Sequence, residues 1–344
     1  MDLFHIPGDT GGDWRIEQFV SLYVHDQDNT EPMIADLCEG MSNDDKMWMV
    51  YLFCICYNIP TALYIFDKLT YTSPEEKIEE FWKEQKFKLI FQSDRRWIKN
   101  RDEFTSTMMD FIKRVDGHPF DYVMKFVTSD PVETYDNFQK DIEGWENFGP
   151  FGVSLFLRIF TLVFPEVKFK THDYNWYDGR QALTIRECMY HFLYQDEKAE
   201  ETYELRCLDK KSTLSKMVSD EEVEKFNEII NHIAKRISEE DPNIHYEFNE
   251  GLSLLCFYRK LFKKQRYFGY TVDRNLHELV TLEKHHPDEL HIWKKLREIR
   301  LKKYPKRMLG ELNGWNGIRN ELKSYFIDTG DVLTNVPILS VDDW

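Results

Sequence analysis

MWMVYLFCICYNIPTALYIF, residues Met47 to Phe66, runs for twenty residues without a charge, the length a helix needs to cross a bilayer. Asn58, Pro60 and Thr61 break the run. Pro60 has no backbone N–H with which to continue a helix, so it ends one or begins the next. The stretch therefore reads as two short buried helices joined at Asn58-Ile59-Pro60, and no membrane span is expected. Working outward, apolar residues recur at three- and four-residue steps along nearly the whole chain. Val223, Phe226, Ile229, Ile230, Ile233 and Ile237 form one such stripe, the mark of an amphipathic helix. Ser219-Asp-Glu-Glu222 and Ser73-Pro-Glu-Glu76 read as capping boxes, the latter with Pro74 in the first turn. Similar patterns occur at 13–26, 44–57, 101–115, 133–146, 150–163, 183–195, 249–262 and 290–303, while strand-like alternation with hairpin turns is scarce. The fold class is all-α, a multi-helix globular fold.

A chain of 344 residues can bury a core as one large domain or two lobes. The acidic stretch 196–204 and the polar residues up to Ser219 divide it into an N-terminal helical lobe, 1–200, and a C-terminal helical lobe, 201–344. One continuous domain is the alternative. The tail after Gly330 reads as irregular or as a packed arm. The net charge of −16 argues at first against nucleic acid, yet its distribution is uneven. Residues 259–307 hold fifteen Lys and Arg against six Asp and Glu, a net of +9 that leaves −25 for the rest. Because salt screens charge beyond roughly 10 Å, such a stripe on an acidic body can dock a phosphate backbone. It also reads as a solvated helix face.

Other chemistries lose ground. None of the six cysteines forms a CxxC pair, so structural zinc is not expected, and buried free thiols in a reducing cytoplasmic compartment are. The N-terminus lacks a basic start followed by an apolar run, so a secretory leader is not expected either. P-loop, GxGxxG, HExxH and GxSxG patterns are missing, which disfavours P-loop kinases, Rossmann enzymes and zincins. His285, His286 and His291 read as polar residues of an exposed turn, because Pro287 and the spacing do not build a metal face. No metal site is expected from the protein alone, although a divalent ion could ride on a pyrophosphate.

Three clusters carry candidate chemistry. Asp94-Arg95-Arg96, followed by Trp97, pairs two guanidiniums with one carboxylate and suits a polyphosphate, or else forms a helix-end ion-pair network. Trp145-Glu-Asn-Phe148-Gly149-Pro-Phe151-Gly152 enters an apolar helix, and such a turn presents backbone N–H groups to an anion. Helix-hairpin-helix DNA glycosylases grip a phosphate with a comparable turn, although their Gly-x-Gly spacing is not met. Asp173 and Asp178-Gly179-Arg180 follow, roughly where those enzymes place a catalytic Asp; loop and cap roles are the other reading. In the third cluster, Leu255-Cys256-Phe-Tyr258-Arg259, Arg266-Tyr267-Phe-Gly269-Tyr270 and Asp273-Arg274 interleave aromatics with cations. That mixture suits an unstacked base beside a backbone, or the packing of a basic amphipathic helix.

The order of these last elements resembles the α-glutamyl/putrescinyl-thymine pyrophosphorylase superfamily, whose characterised members are phage amino acid:DNA transferases. The likeness extends to Cys56-Tyr-Asn-Ile-Pro-Thr-Ala62, to Phe81-Trp82-Lys-Glu84 with Asp94–Arg96, and to the Trp145–Phe151 element, covering about residues 45 to 320. No single motif is diagnostic; the ordered set carries the likeness. It implies a fold related to helical DNA glycosylases. The implied reaction displaces pyrophosphate from pyrophosphorylated 5-hydroxymethyluracil in DNA and joins an amine, from an amino acid or polyamine, to the exocyclic methylene. Such a reaction needs a base for the amine proton, and Asp94, Asp178 and Asp273 are the candidates. It needs cations for the leaving group, and Arg95, Arg96, Arg266 and Arg274 are suitable. An amino-acid donor needs a further Arg for its carboxylate: Arg158, Arg180 or Arg259. Trp97, Gly149, Phe151, Gly152, Tyr267, Gly269 and Tyr270 are the candidate contacts to DNA and base. The competing readings are a glycosylase-like enzyme that removes a base, a non-catalytic helical module that binds modified DNA, and an acidic protein that mimics DNA.

Overall fold

The uncharged run folds as two helices because its polar residues build the turn between them. The computed structural model describes Val20, Val24 and residues 30–91, 103–148, 150–170, 220–242 and 270–303. Helix α1 (Pro32–Leu37) precedes the run; α2 (Asn43–Cys56) and α3 (Ile59–Lys68) are its two halves. Helix α2 starts where Ser42 Oγ accepts the Asp45 N–H at 3.1 Å, with Asp44 and Asp45 in its first turn, where negative charge suits the helix dipole. It stops at Tyr57, whose φ of 46° is left-handed. That conformation costs a non-glycine residue about 1 kcal/mol. Asn58 then returns to extended backbone, and its Oδ1 accepts the Thr61 N–H at 2.9 Å. Pro60 sits in the first turn of α3, where a missing N–H loses nothing. No helix among the described residues is long and apolar enough to cross a membrane.

Among the described residues eight further helices follow: α4 (Glu75–Gln85), α5 (Phe104–Val115), α6 (Pro119–Met124), α7 (Pro131–Ile142), α8 (Pro150–Val163), α9 (Asp220–Glu240), α10 (Tyr270–His285) and α11 (Leu290–Lys303). The described residues contain no strand, so the fold is all-α. The stripe expected on α9 is present, with Ile229, Ile233 and Ile237 buried. One expected cap is corrected. Ser73 does not cap α4; its Oγ accepts the Thr70 N–H at 2.9 Å in the preceding turn, and Pro74, with no side-chain bond to give, takes the cap position. The expected helices at 183–195 and 249–262, the 196–219 connection, Ser219 and the tail after Gly330 lie outside the described residues.

Every residue of α2 from Met47 to Cys56 is buried, which makes it the central helix. Helices α3, α6 and α8 pack against it, and a ring closes around the core: α8 packs on α1, α1 on α11, α11 on α3. The aromatic centre lies between α2 and α5. Tyr51 stacks on Phe111 with centroids 3.8 Å apart, and its hydroxyl donates to the Thr107 carbonyl at 2.7 Å. Trp48 Nε1 donates to the Leu69 carbonyl at 3.0 Å, so both polar handles of these large rings are satisfied inside the core. Leu279, Leu282, Ile292, Trp293 and Leu296 of the α10–α11 hairpin belong to this same core. The packing thus crosses the division drawn at residue 200.

Candidate functional site

Of the residues singled out by sequence, Asp94, Arg95, Arg96, Trp97, Gly149, Asp178, Arg180, Arg259, Arg266, Tyr267 and Gly269 lie outside the described residues. Six fall on two helices. Phe151, Gly152 and Arg158 belong to α8; Tyr270, Asp273 and Arg274 open α10.

Helix α8 enters from a turn whose aromatics face inward. Trp145 and Phe148 are buried against Tyr51, with ring centroids 6.1 and 6.0 Å from it. Gly152, in the first turn, is buried as well. Two turns on, Arg158 is buried and its Nη2 donates to Glu31 Oε1, while the Tyr57 hydroxyl donates to the same oxygen at 3.3 Å. Two opposite charges held together out of water must compensate each other's lost hydration. The carboxylate held by Arg158 is therefore the chain's own. Cys54 lies close by. Burial, then the Glu31 carboxylate, push its thiol well above the ordinary range, with Arg158 opposing. Burial also raises Cys56, and raises Cys38 to about 12. These three free thiols are buried and stay protonated, which removes them as nucleophiles.

Arg274 begins the second group. Its Nε donates to Glu278 Oε1 at 3.0 Å, one helical turn on, and Glu278 and Asn275 are buried beside it. The hairpin that follows docks on α3 through polar contacts that the sequence reading missed. His291 Nε2 lies 3.0 Å from Asp67 Oδ1, and the Lys68 ammonium bridges Asp67, at 2.9 Å, and Glu289. Burial raises the Asp67 carboxyl, but hydrogen bonds from His291 and Lys68 outweigh it and bring the group below its ordinary value. His285 Nδ1 meets the Lys88 carbonyl at 2.9 Å. Ligating atoms of Asp67, Glu289 and His291 lie within 4.8 Å of one another, a spacing short enough to share one cation. Lys68 brings a positive charge to two of the three, Asp67 and Glu289.

His286 departs from the exposed turn expected of it. It is 8% exposed, its ring lies 4.1 Å from the Tyr64 ring centroid, and its carbonyl accepts Trp293 Nε1 at 2.9 Å. Its Nε2 is buried without a hydrogen-bond partner. Burial, then Lys88 and His285, bring its pKa down to about 4, so the ring is neutral at physiological pH.

Among the described residues of the basic stripe, the chain itself engages several of the cations. Arg297 pairs with Glu283, Lys294 with Glu298 at 3.8 Å, Lys302 with Glu39 at 3.5 Å and Lys303 with Asp36 at 3.8 Å. Lys295 donates to the Leu37 carbonyl at 3.3 Å, and Arg300 is fully buried. The charge sum over 259–307 already counts Glu283 and Glu298 but misses Asp36, Leu37 and Glu39, which come from more than 250 residues earlier. Comparison with models of known families and with curated proteins finds no match.

Proposed function

We propose that this chain modifies thymine in DNA by transferring an amine onto the exocyclic methylene of pyrophosphorylated 5-hydroxymethyluracil, with release of pyrophosphate. The observation that carries the reading is the ordered set of elements resembling the pyrophosphorylase superfamily, together with where three of them fall. Cys56–Ala62 forms the α2–α3 elbow, Trp145–Phe151 leads into α8, and Tyr270–Arg274 opens α10. Helix α8 packs on α2 and α10 packs on α3, so elements spread over more than 200 residues meet in one connected set of helices. An all-helical frame is also what the relation to helical glycosylases calls for.

In this reading the base is taken out of the duplex and presented to a pocket. A carboxylate, Asp94, Asp178 or Asp273, takes the proton of the attacking amine. The amine nitrogen forms its bond to the methylene carbon as the carbon–oxygen bond to pyrophosphate breaks. Arg95, Arg96, Arg266 and Arg274, the last still held by Glu278 through its Nε, neutralise the departing charge. The amine donor is an amino acid or polyamine, and a divalent ion would travel with the pyrophosphate.

The test is direct. Protein, DNA carrying the pyrophosphorylated base, and a mixture of amino acids and polyamines are incubated; the DNA is then digested and its nucleosides weighed. A nucleoside heavier than hydroxymethyldeoxyuridine by one condensed amine, with equimolar pyrophosphate, is the expected result. Abasic sites would replace this reading with a glycosylase, and tight binding with unchanged nucleosides would replace it with a binding module.

A further inference from the structure

We propose that the solvent-facing side of α11 is the surface that receives the DNA backbone, and that the chain's own acids occupy its lysines until DNA displaces them. The inference rests on the DNA-directed reading above and adds its surface and its regulation. Six exposed residues, His291, Lys294, Lys295, Glu298, Leu301 and Lys302, recur at helical spacing on one side of α11, and Lys303 extends it. Four lysines against one glutamate make this a cationic face on a chain of net charge −16. Lysines 294 and 295 stand eight residues before 302 and 303, which is about 12 Å along a helix axis. That span matches the width of the major groove, roughly 12 Å, so the two pairs can reach phosphates on its opposite sides. Lysine is a point charge on a flexible stem and suits contacts that position a duplex without reading its sequence.

Each lysine already has an acceptor. Glu298 lies 3.8 Å from Lys294, the Leu37 carbonyl 3.3 Å from Lys295, Glu39 3.5 Å from Lys302 and Asp36 3.8 Å from Lys303. Lys302 and Glu39 are 67% and 76% exposed, and an exposed pair shifts an equilibrium only about 1.5- to 5-fold. A polyanion whose binding also releases condensed counterions outcompetes pairs that weak. Glu39, just beyond α1, thus acts as an intramolecular stand-in for phosphate and sets a threshold on binding, with Asp36, 19% exposed at the end of α1, the more firmly placed of the two acids.

The full-length chain is titrated against an unmodified 20-base-pair duplex between 50 and 200 mM salt, with thermal unfolding as the folding control. The paired variant Asp36→Asn with Glu39→Gln is expected to bind about two- to twentyfold tighter. Lys302→Gln with Lys303→Gln is expected to bind more weakly, with a log–log salt slope shallower by about 1.8. A lysine variant with unchanged slope overturns the surface assignment, and an acid variant that binds no tighter overturns the competition. Polyglutamate that binds as tightly as DNA of equal charge overturns the nucleic-acid assignment in favour of an acidic protein partner. These shifts occurring in a chain that yields no new nucleoside would remove the transferase reading and leave the surface standing; product formation without them would do the reverse.

Discussion

Lowering the pH from 7 to 5 should destabilise the fold through one side chain, His286. The ring is 8% exposed, packed on Tyr64, and has an unpartnered buried Nε2. Lys68 and Lys88 bear on it as cations, Glu289 is the opposing carboxylate, and His285 adjoins it. Its pKa is brought down from 6.5 to about 4 by burial first and by Lys88 and His285 next. At pH 5 the unfolded chain binds the proton and the folded chain does not. Unfolding therefore takes up a proton, and stability falls as pH drops between about 6.5 and 4. The linkage relation gives about 2 kcal/mol between pH 7 and 5 for such a shift. Water near exposed Lys88 and His285 trims this to about 1–2 kcal/mol. Urea unfolding of the wild type and of His286→Phe at both pH values isolates the term, because every other titrating group is shared. The Phe ring keeps the packing on Tyr64 and cannot titrate, so the variant should lose about 1–2 kcal/mol less than the wild type over the same interval. Equal losses in the two proteins would refute the argument, and with it the view that the hairpin docks by burying a neutral imidazole.

Two further outcomes follow from the same packing. Trp293→Ala should cost about 3–5 kcal/mol, because the indole is fully buried, stacks on Tyr64 and donates to the His286 carbonyl; chemical denaturation measures it. Arg158→Met should cost about 3–5 kcal/mol because it strands the buried Glu31 carboxylate, whereas the double change with Glu31→Leu should recover most of that loss. A double change as damaging as the single one would mean that the pair does more than neutralise itself.

How much of this was legible depended on whether the relevant partner was local. The α2–α3 elbow was readable because Asn58 and Pro60 act on their own neighbours, through a cap and a missing N–H. Helices α8 and α11 match the stretches expected from their apolar spacing. Ser73 was misread because a hydroxyl before Pro-Glu-Glu satisfies the capping pattern equally well when it is spent on the preceding turn. Of the three histidines, His285 and His291 are exposed as expected, and only His286 was misread. Residues 285–291 do not contain a metal-like face by themselves; Asp67 completes the cluster, and Lys68 balances it. Periodicity reports that a helix has an apolar side and not what that side will meet. The burial of His286 on Tyr64 thus had no signal in the sequence.

The same distinction ranks the arginines offered for the amine donor's carboxylate. A cation already held by the chain's own acid can take an external anion only by exchange, and the cost of exchange rises steeply with burial. For Lys302 and Glu39, both largely exposed, water hydrates whichever charge is released, and the exchange costs at most about 1 kcal/mol. For Arg158 and Glu31, side chains 6% and 5% exposed, the displaced carboxylate would keep the Tyr57 hydroxyl but stay buried without its counter-charge, a cost of about 3–5 kcal/mol. A donor carboxylate would have to supply all of that before contributing any net affinity. Arg158 is thereby assigned to holding Glu31, at the start of α1, against α8, and within the proposed reaction Arg180 and Arg259 remain the candidates for the donor carboxylate. If Arg158→Met with Glu31→Leu folds and still transfers the amine with an unchanged KM for the donor, the assignment holds. A KM raised tenfold or more, with kcat unchanged, would return Arg158 to the donor site.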